Sequence, residues 1–329
     1  MNPNPFSQKV KIYTFSALVL TVAVTLLRVI GFLFFFDDDL GYFELSPLNT
    51  VATVLCVLTV LWILTAIIFI PKYSFPLKTK PAPNNYTRIA ALFCGMIVAG
   101  SFFFFRQSMY YYIAQARGYQ MLSIFTLLAA VYFLLHFVGY QNETHTALAA
   151  SAVIFWAAIL MSVSYLNLYV TMNSPLKVTL HVALLSIMLF MMEEARLMTD
   201  HNFRILYHVA LLIAILTCSI SSIPILVAHL AETFWDVDYL LYSILMLGFL
   251  VYMATRAHAC YRLLMTLPCM TPEEIEADKA KKKKDKEEAK RKEKEKKEQK
   301  RLKKQGTAPA EASTTQNSET QEGDDNHVR

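Results

Sequence analysis

The sequence predicts an all-α fold: a polytopic membrane helix bundle with about eight transmembrane helices, followed by a long charged cytoplasmic helix and a disordered C-terminal tail. Three observations carry that expectation. Of 329 residues, 55% are hydrophobic and 17% charged, which is more apolar surface than a soluble chain of this length buries. Eight apolar runs are each long enough to cross roughly 30 Å of hydrocarbon at about 1.5 Å per residue. The charges are also segregated, because residues 273–329 hold 17 of the 31 Lys and Arg and 15 of the 26 Asp and Glu.

The runs lie near 13–36, 48–70, 88–105, 121–140, 146–169, 175–192, 205–228 and 238–255. Each is expected to be helical, since inside lipid every backbone N–H and C=O must be satisfied within its own segment, and these runs are too long and continuous for barrel strands. The first follows Lys9 and Lys11 as a signal peptide would, but it is too long, contains Arg28 and ends in FLFFFDDD without a small-residue cleavage site. It is therefore read as a retained span. The third runs into FFFFRQSMYYYIAQARGYQ, which predicts an aromatic belt with a short interfacial helix around Arg106 and Arg117. The sixth is expected to begin at Pro175, with Ser174 as its cap. In the seventh, Pro224 frees the carbonyl of Ile220, and the nearby serines are expected to satisfy it.

Basic residues orient the bundle. The predicted cytoplasmic side collects Lys9, Lys11, Lys72, Lys78, Lys80, Arg88, Arg196, Arg204, Arg256 and Arg262, against Arg106, Arg117 and Lys177 outside. That asymmetry predicts a protein of the cell membrane with both termini cytoplasmic. Both N-x-S/T matches, at Asn85 and Asn142, then fall on the cytoplasmic side and are read as chance.

The tail carries Thr271, Pro272 and Glu274 in capping positions and stops at Gly306, so a solvated Lys/Glu-rich helix is expected over 271–305 and disorder over 306–329. Between Lys279 and Lys304 there are 16 basic and 6 acidic residues. Such a segment suits anionic lipid headgroups or a cytoplasmic partner. It has no aromatics to stack bases, so nucleic acid is not an expected partner.

Few polar residues fall inside the spans. Thr14, Thr21, Thr25 and Arg28 lie within about 60° of one helical face at 100° per residue, which points them into the bundle or lets Arg28 reach outward to Asp37, Asp38 and Asp39. Ser164, Asn167, His181, Ser219, Ser221 and Ser222 fall at a similar outward depth, and with Arg28 they form a candidate ligand-binding group. His136 and His208 read as satisfied imidazoles near the opposite interface. Met192 lies about 27 Å along the sixth helix, so Glu193, Glu194 and Arg196 read as interface charges where a helix end meets water.

The same letters resemble the motifs of the CAAX-protease-like intramembrane family, EExxxR followed by FxxxH, but here they read EExR and FxxxxH. A slip of one residue rotates a ligand by about 100°, so no catalytic residues are assigned. Cys56, Cys94, Cys218, Cys260 and Cys269 show no paired spacing, and neither disulfides, metal nor cofactor is expected.

No motif names a substrate. The sequence therefore ranks a membrane-embedded sensor or scaffold using its basic tail first. A secondary transporter or small-ligand-binding protein with a polar site in the outer half of the bundle comes second, and an intramembrane enzyme using Glu193 and Glu194 third.

Overall fold

The computed structural model describes residues 5–37, 42–44, 46–70, 84–140, 142–166, 174–200 and 205–266, with isolated positions beyond. The expectations for the 271–305 helix, the disordered tail, Asn167, Cys269, and the Lys72, Lys78, Lys80 and Arg204 loop charges lie outside the described residues.

Among the described residues eight helices are long and apolar enough to cross a membrane, which fits a multi-pass membrane protein. They are α1 (Pro5–Phe35), α2 (Pro47–Phe69), α3 (Asn85–Tyr111), α4 (Ala116–Val138), α5 (Glu143–Leu166), α6 (Pro175–Asp200), α7 (Ile205–Leu230) and α8 (Val237–Thr266). A two-residue hairpin, β1 (Phe36–Asp37) against β2 (Tyr42–Phe43), joins α1 to α2. The expected interfacial helix after the third span is instead a continuation of α3 to Tyr111, then one 3-10 turn over Ile113–Gln115.

Local chemistry sets the helix ends. Ser46 accepts from the Leu48 N–H with Pro47 in the first turn of α2, and Asn84 caps α3 through the Thr87 N–H at 2.8 Å. Asn142 accepts from the His145 N–H, and Asp236 from the Tyr239 N–H. α4 ends on Gly139 at φ 75°, with Tyr140 N–H returning to the Leu135 carbonyl. That left-handed residue is a Schellman-type stop that glycine adopts without strain.

The helices alternate in direction. Contacts at one end join the start of α1 to the start of α7 through Thr14 and His208, and the ends of α6 and α8 through Glu194 and Arg256. We call this the proximal end. At the distal end, Tyr112 after α3 donates to Asp238 early in α8 at 2.9 Å, and Gln115 donates to the Leu166 carbonyl at 2.6 Å.

Helices α3 to α8 form a closed ring in chain order, with α8 returning to pack on α3, while α1 and α2 pack on α7 from outside. The burial follows: 83% of the spanning window of α7 is buried, against 22% of that of α2. Aromatic side chains fill the ring. Trp156 of α5 stacks on Phe249 of α8 at 5.5 Å, and Phe133 of α4 meets Phe249 and Tyr252 edge-on. Trp156 Nε1–H donates to Thr126 on α4, so the indole is buried with its polar atom satisfied.

The serines around Pro224 behave differently from the sequence expectation. Ser219 and Ser222 hydroxyls bond back to the carbonyls of Leu216 and Cys218 rather than to that of Ile220. Ser243 of α8 reaches the Ser221 carbonyl at 3.4 Å, one residue beyond the carbonyl that the proline frees.

Candidate functional site

Two polar centres stand out, at opposite ends of the bundle. The proximal centre is built on Glu194. α6 continues seven residues past Glu193 to Asp200, and Glu193 and Glu194 lie on its buried side while Arg196 and Thr199 lie on its exposed side. Glu193 and Glu194 are 2% and 0% exposed, which corrects the reading of both as charges at a solvated helix end. Arg196 does lie outward, and it pairs with Glu193 at 2.7 Å across i,i+3 as the spacing predicts. Glu194 Oε1 accepts from the Arg256 guanidinium, and Glu194 Oε2 accepts from the Tyr207 hydroxyl at 2.6 Å.

One carboxylate thus ties α6, α7 and α8 together. Arg256 is 1% exposed and not the boundary cation that the charge count made of it. Around this pair, Tyr252 bonds Tyr132 at 3.0 Å and the Nδ1 of His136 at 3.3 Å. Beside them Cys260 is a fully buried free thiol. A buried pair of this kind repays its desolvation only when the remaining lone pairs are satisfied, as both Glu194 oxygens are here.

The distal centre is a cleft of about 530 Å³ between α1, α2, the hairpin and the start of α6. Its polar wall is Arg28, Glu44, Asn49, Thr50, Thr53 and Thr179, and its apolar wall includes Phe43, Val54, Pro175 and Val178. Thr14, Thr21 and Thr25 face α7 as their spacing predicts, Thr14 meeting His208 at 2.9 Å and Thr25 meeting Ser219 at 3.2 Å. Arg28 turns elsewhere. It donates to Thr53 on α2 at 2.9 Å, and its guanidinium lies 5.3 Å from the centre of the Phe43 ring. Among the described residues neither the α7 face nor Asp37 receives it, and Asp38 and Asp39 lie outside them.

Asn49 is 8% exposed and donates from Nδ2 to the Glu44 carbonyl at 3.3 Å, fixing the loop before α2. Its Oδ1 is pressed against Gly31, where an added Cβ would lie 2.5 Å away. α1 and α2 approach this closely because residue 31 has no side chain.

The remaining residues of the sequence-derived group do not share this cleft. Ser164 and His181 Nε2 meet at 3.0 Å on the other side of α6, where His181 lines a separate cavity of about 380 Å³ with Tyr165. Ser221 and Ser222 are buried within α7. Asn49 and Thr53 were not singled out from the sequence. They lie in the first two turns of α2, and only the packing of α2 on α1 brings them to Arg28.

Among the described residues no group of three or more His, Cys, Asp or Glu could hold a metal ion. Just beyond the end of α3, burial and the bond to Asp238 raise the pKa of the Tyr112 hydroxyl. No family model, curated protein or solved structure matches this chain.

Proposed function

We propose that this chain is a ligand-binding protein of the cell membrane, with both termini cytoplasmic, that holds an anion-bearing ligand in the Arg28 cleft. The observation that supports it is the state of Arg28. A guanidinium within a span costs several kcal/mol unless answered by charge or water. Among the described residues Arg28 has a hydroxyl and an aromatic ring but no carboxylate in ion-pair range, while it faces a cleft of ligand size. Pockets of about 300–1,000 Å³ with a few convergent polar groups are the usual form of a small-molecule site. The aromatic filling of the α3–α8 ring favours retention over passage.

The test is thermal melting of the detergent-purified protein with phosphatidylglycerol in mixed micelles. The wild type and Arg106→Gln, whose charge lies exposed at the same end, are expected to melt higher with the lipid. Arg28→Gln is expected to lose that increase. An unchanged increase in Arg28→Gln sinks the proposal.

The sensor or scaffold reading is retained for the segment 279–304. Its net charge of +10 (16 basic less 6 acidic) suits an anionic bilayer surface at about 1 kcal/mol per basic group. Deleting residues 271–329 should then abolish vesicle or partner association while leaving Arg28-dependent binding intact.

A further inference from the structure

Arg28 is not the only charge on the cleft wall. Glu44 lines the same space, yet the two do not form an ion pair with each other or with any other described residue. Opposite charges facing one cavity are arranged against ligands of a single sign. An anion drawn to Arg28 meets repulsion from Glu44, and a cation drawn to Glu44 meets repulsion from Arg28. A molecule carrying both signs satisfies the two together.

The way out of the cleft indicates what else that molecule carries. Val54 lines the cleft and also belongs to an exposed stripe along α2 with Val51, Leu58 and Leu61, spaced by three and four residues. An exposed apolar stripe of that period on a helix fit to cross a membrane is a surface for acyl chains.

Building on the ligand-binding reading above, we infer that the occupant is a zwitterionic phospholipid, its phosphate on Arg28 and Thr53, its ammonium on Glu44, and its chains along α2. The phosphate accepts from the guanidinium and the Thr53 hydroxyl, and the ammonium donates to the carboxylate. No bond is made or broken. Asn49 and Gly31 act one step back, holding the Glu44 loop against α1.

The experiment compares phosphatidylethanolamine, phosphatidylglycerol and tail-free glycerophosphoethanolamine against the full chain in detergent, read as apparent Kd by melting shift or native mass spectrometry. Wild type is expected to prefer phosphatidylethanolamine over phosphatidylglycerol by about tenfold, the equivalent of one charge-assisted contact. Glu44→Gln is expected to erase that preference while binding phosphatidylglycerol at least as tightly as wild type. Because Glu44 lies in an exposed loop, this variant is expected to melt within a few degrees of wild type, and retained phosphatidylglycerol binding shows that it is folded.

Equal affinity for the two lipids in wild type, or an undiminished preference in Glu44→Gln, overturns the inference but leaves Arg28-dependent anion binding standing. Tail-free headgroup binding as tight as the lipid overturns the assignment of a lipid in favour of a soluble zwitterion. Loss of all Arg28-dependent binding overturns the underlying reading itself.

Discussion

Glu194 shows how much one side chain can be asked to hold. Its two oxygens take donors from two other helices, and its surroundings exclude water. Removing one member of such a pair leaves an uncompensated charge, which typically costs about 3–5 kcal/mol, whereas replacing both by apolar residues is often near neutral. Glu194→Leu and Arg256→Leu are each expected to lose that much in an SDS-unfolding titration, and the double variant far less than the sum. A strictly additive double variant would show that the two groups do not interact. Tyr207→Phe, which removes one bond to the carboxylate, is expected to cost about 1.5–3 kcal/mol in the same titration. None of this was legible in the string EEARLM, because its spacing describes a good exposed helical turn. The partners come from 13 and 62 positions away, and burial at a helix end depends on neighbours that a local pattern does not contain.

Elements were easier to read than contacts. Eight apolar runs gave eight helices, since backbone satisfaction in lipid leaves a run of that length one solution. Their ends moved outward wherever polar residues continue the helix: α3 through its tyrosines, α6 to Asp200 and α8 to Thr266. Hydropathy marks the oily part of a helix and not its hydrogen-bonded length.

Two glycines constrain how these elements join. At Gly139, alanine would have to adopt φ 75° with its Cβ 2.6 Å from the Arg88 guanidinium. Gly139→Ala is expected to lower stability by about 1–2 kcal/mol in the same titration. Gly31→Ala would drive α2 from α1 at Asn49, and on the proposed function it weakens phosphatidylglycerol binding more than it lowers the melting temperature. The reverse ranking would remove Gly31 from the site.

For the whole molecule, the class and the alternating path are legible in the apolar runs, but the arrangement is not. The α3–α8 ring, with α1 and α2 outside it, depends on which apolar faces fit together, and faces that all look alike to a hydropathy scale leave the packing order open. The expected outer group was divided for the same reason, with α6 standing between Arg28 and the Ser164–His181 pair. With cytoplasmic termini, an impermeant maleimide added to intact cells should label Glu232→Cys at the distal end and spare Glu143→Cys at the proximal end. Labelling in the opposite order would invert the assigned sides. Both variants carry Cys56→Ser and Cys269→Ser as well, since of the native thiols Cys94, Cys218 and Cys260 are buried and Cys56 is half-buried.

The outlying position of α1 and α2 also bears on biosynthesis. These helices leave the ribosome before α7, their main support, which is made some 135 residues later. In the interval the threonines of α1 must wait in lipid without His208 or Ser219. They are equipped to do so: Thr14, Thr21 and Thr25 each donate to the carbonyl four residues back in their own helix, at 2.8 Å. The nascent hairpin therefore carries its hydroxyl donors already engaged, and docking on α7 supplies further partners without first having to rescue exposed ones.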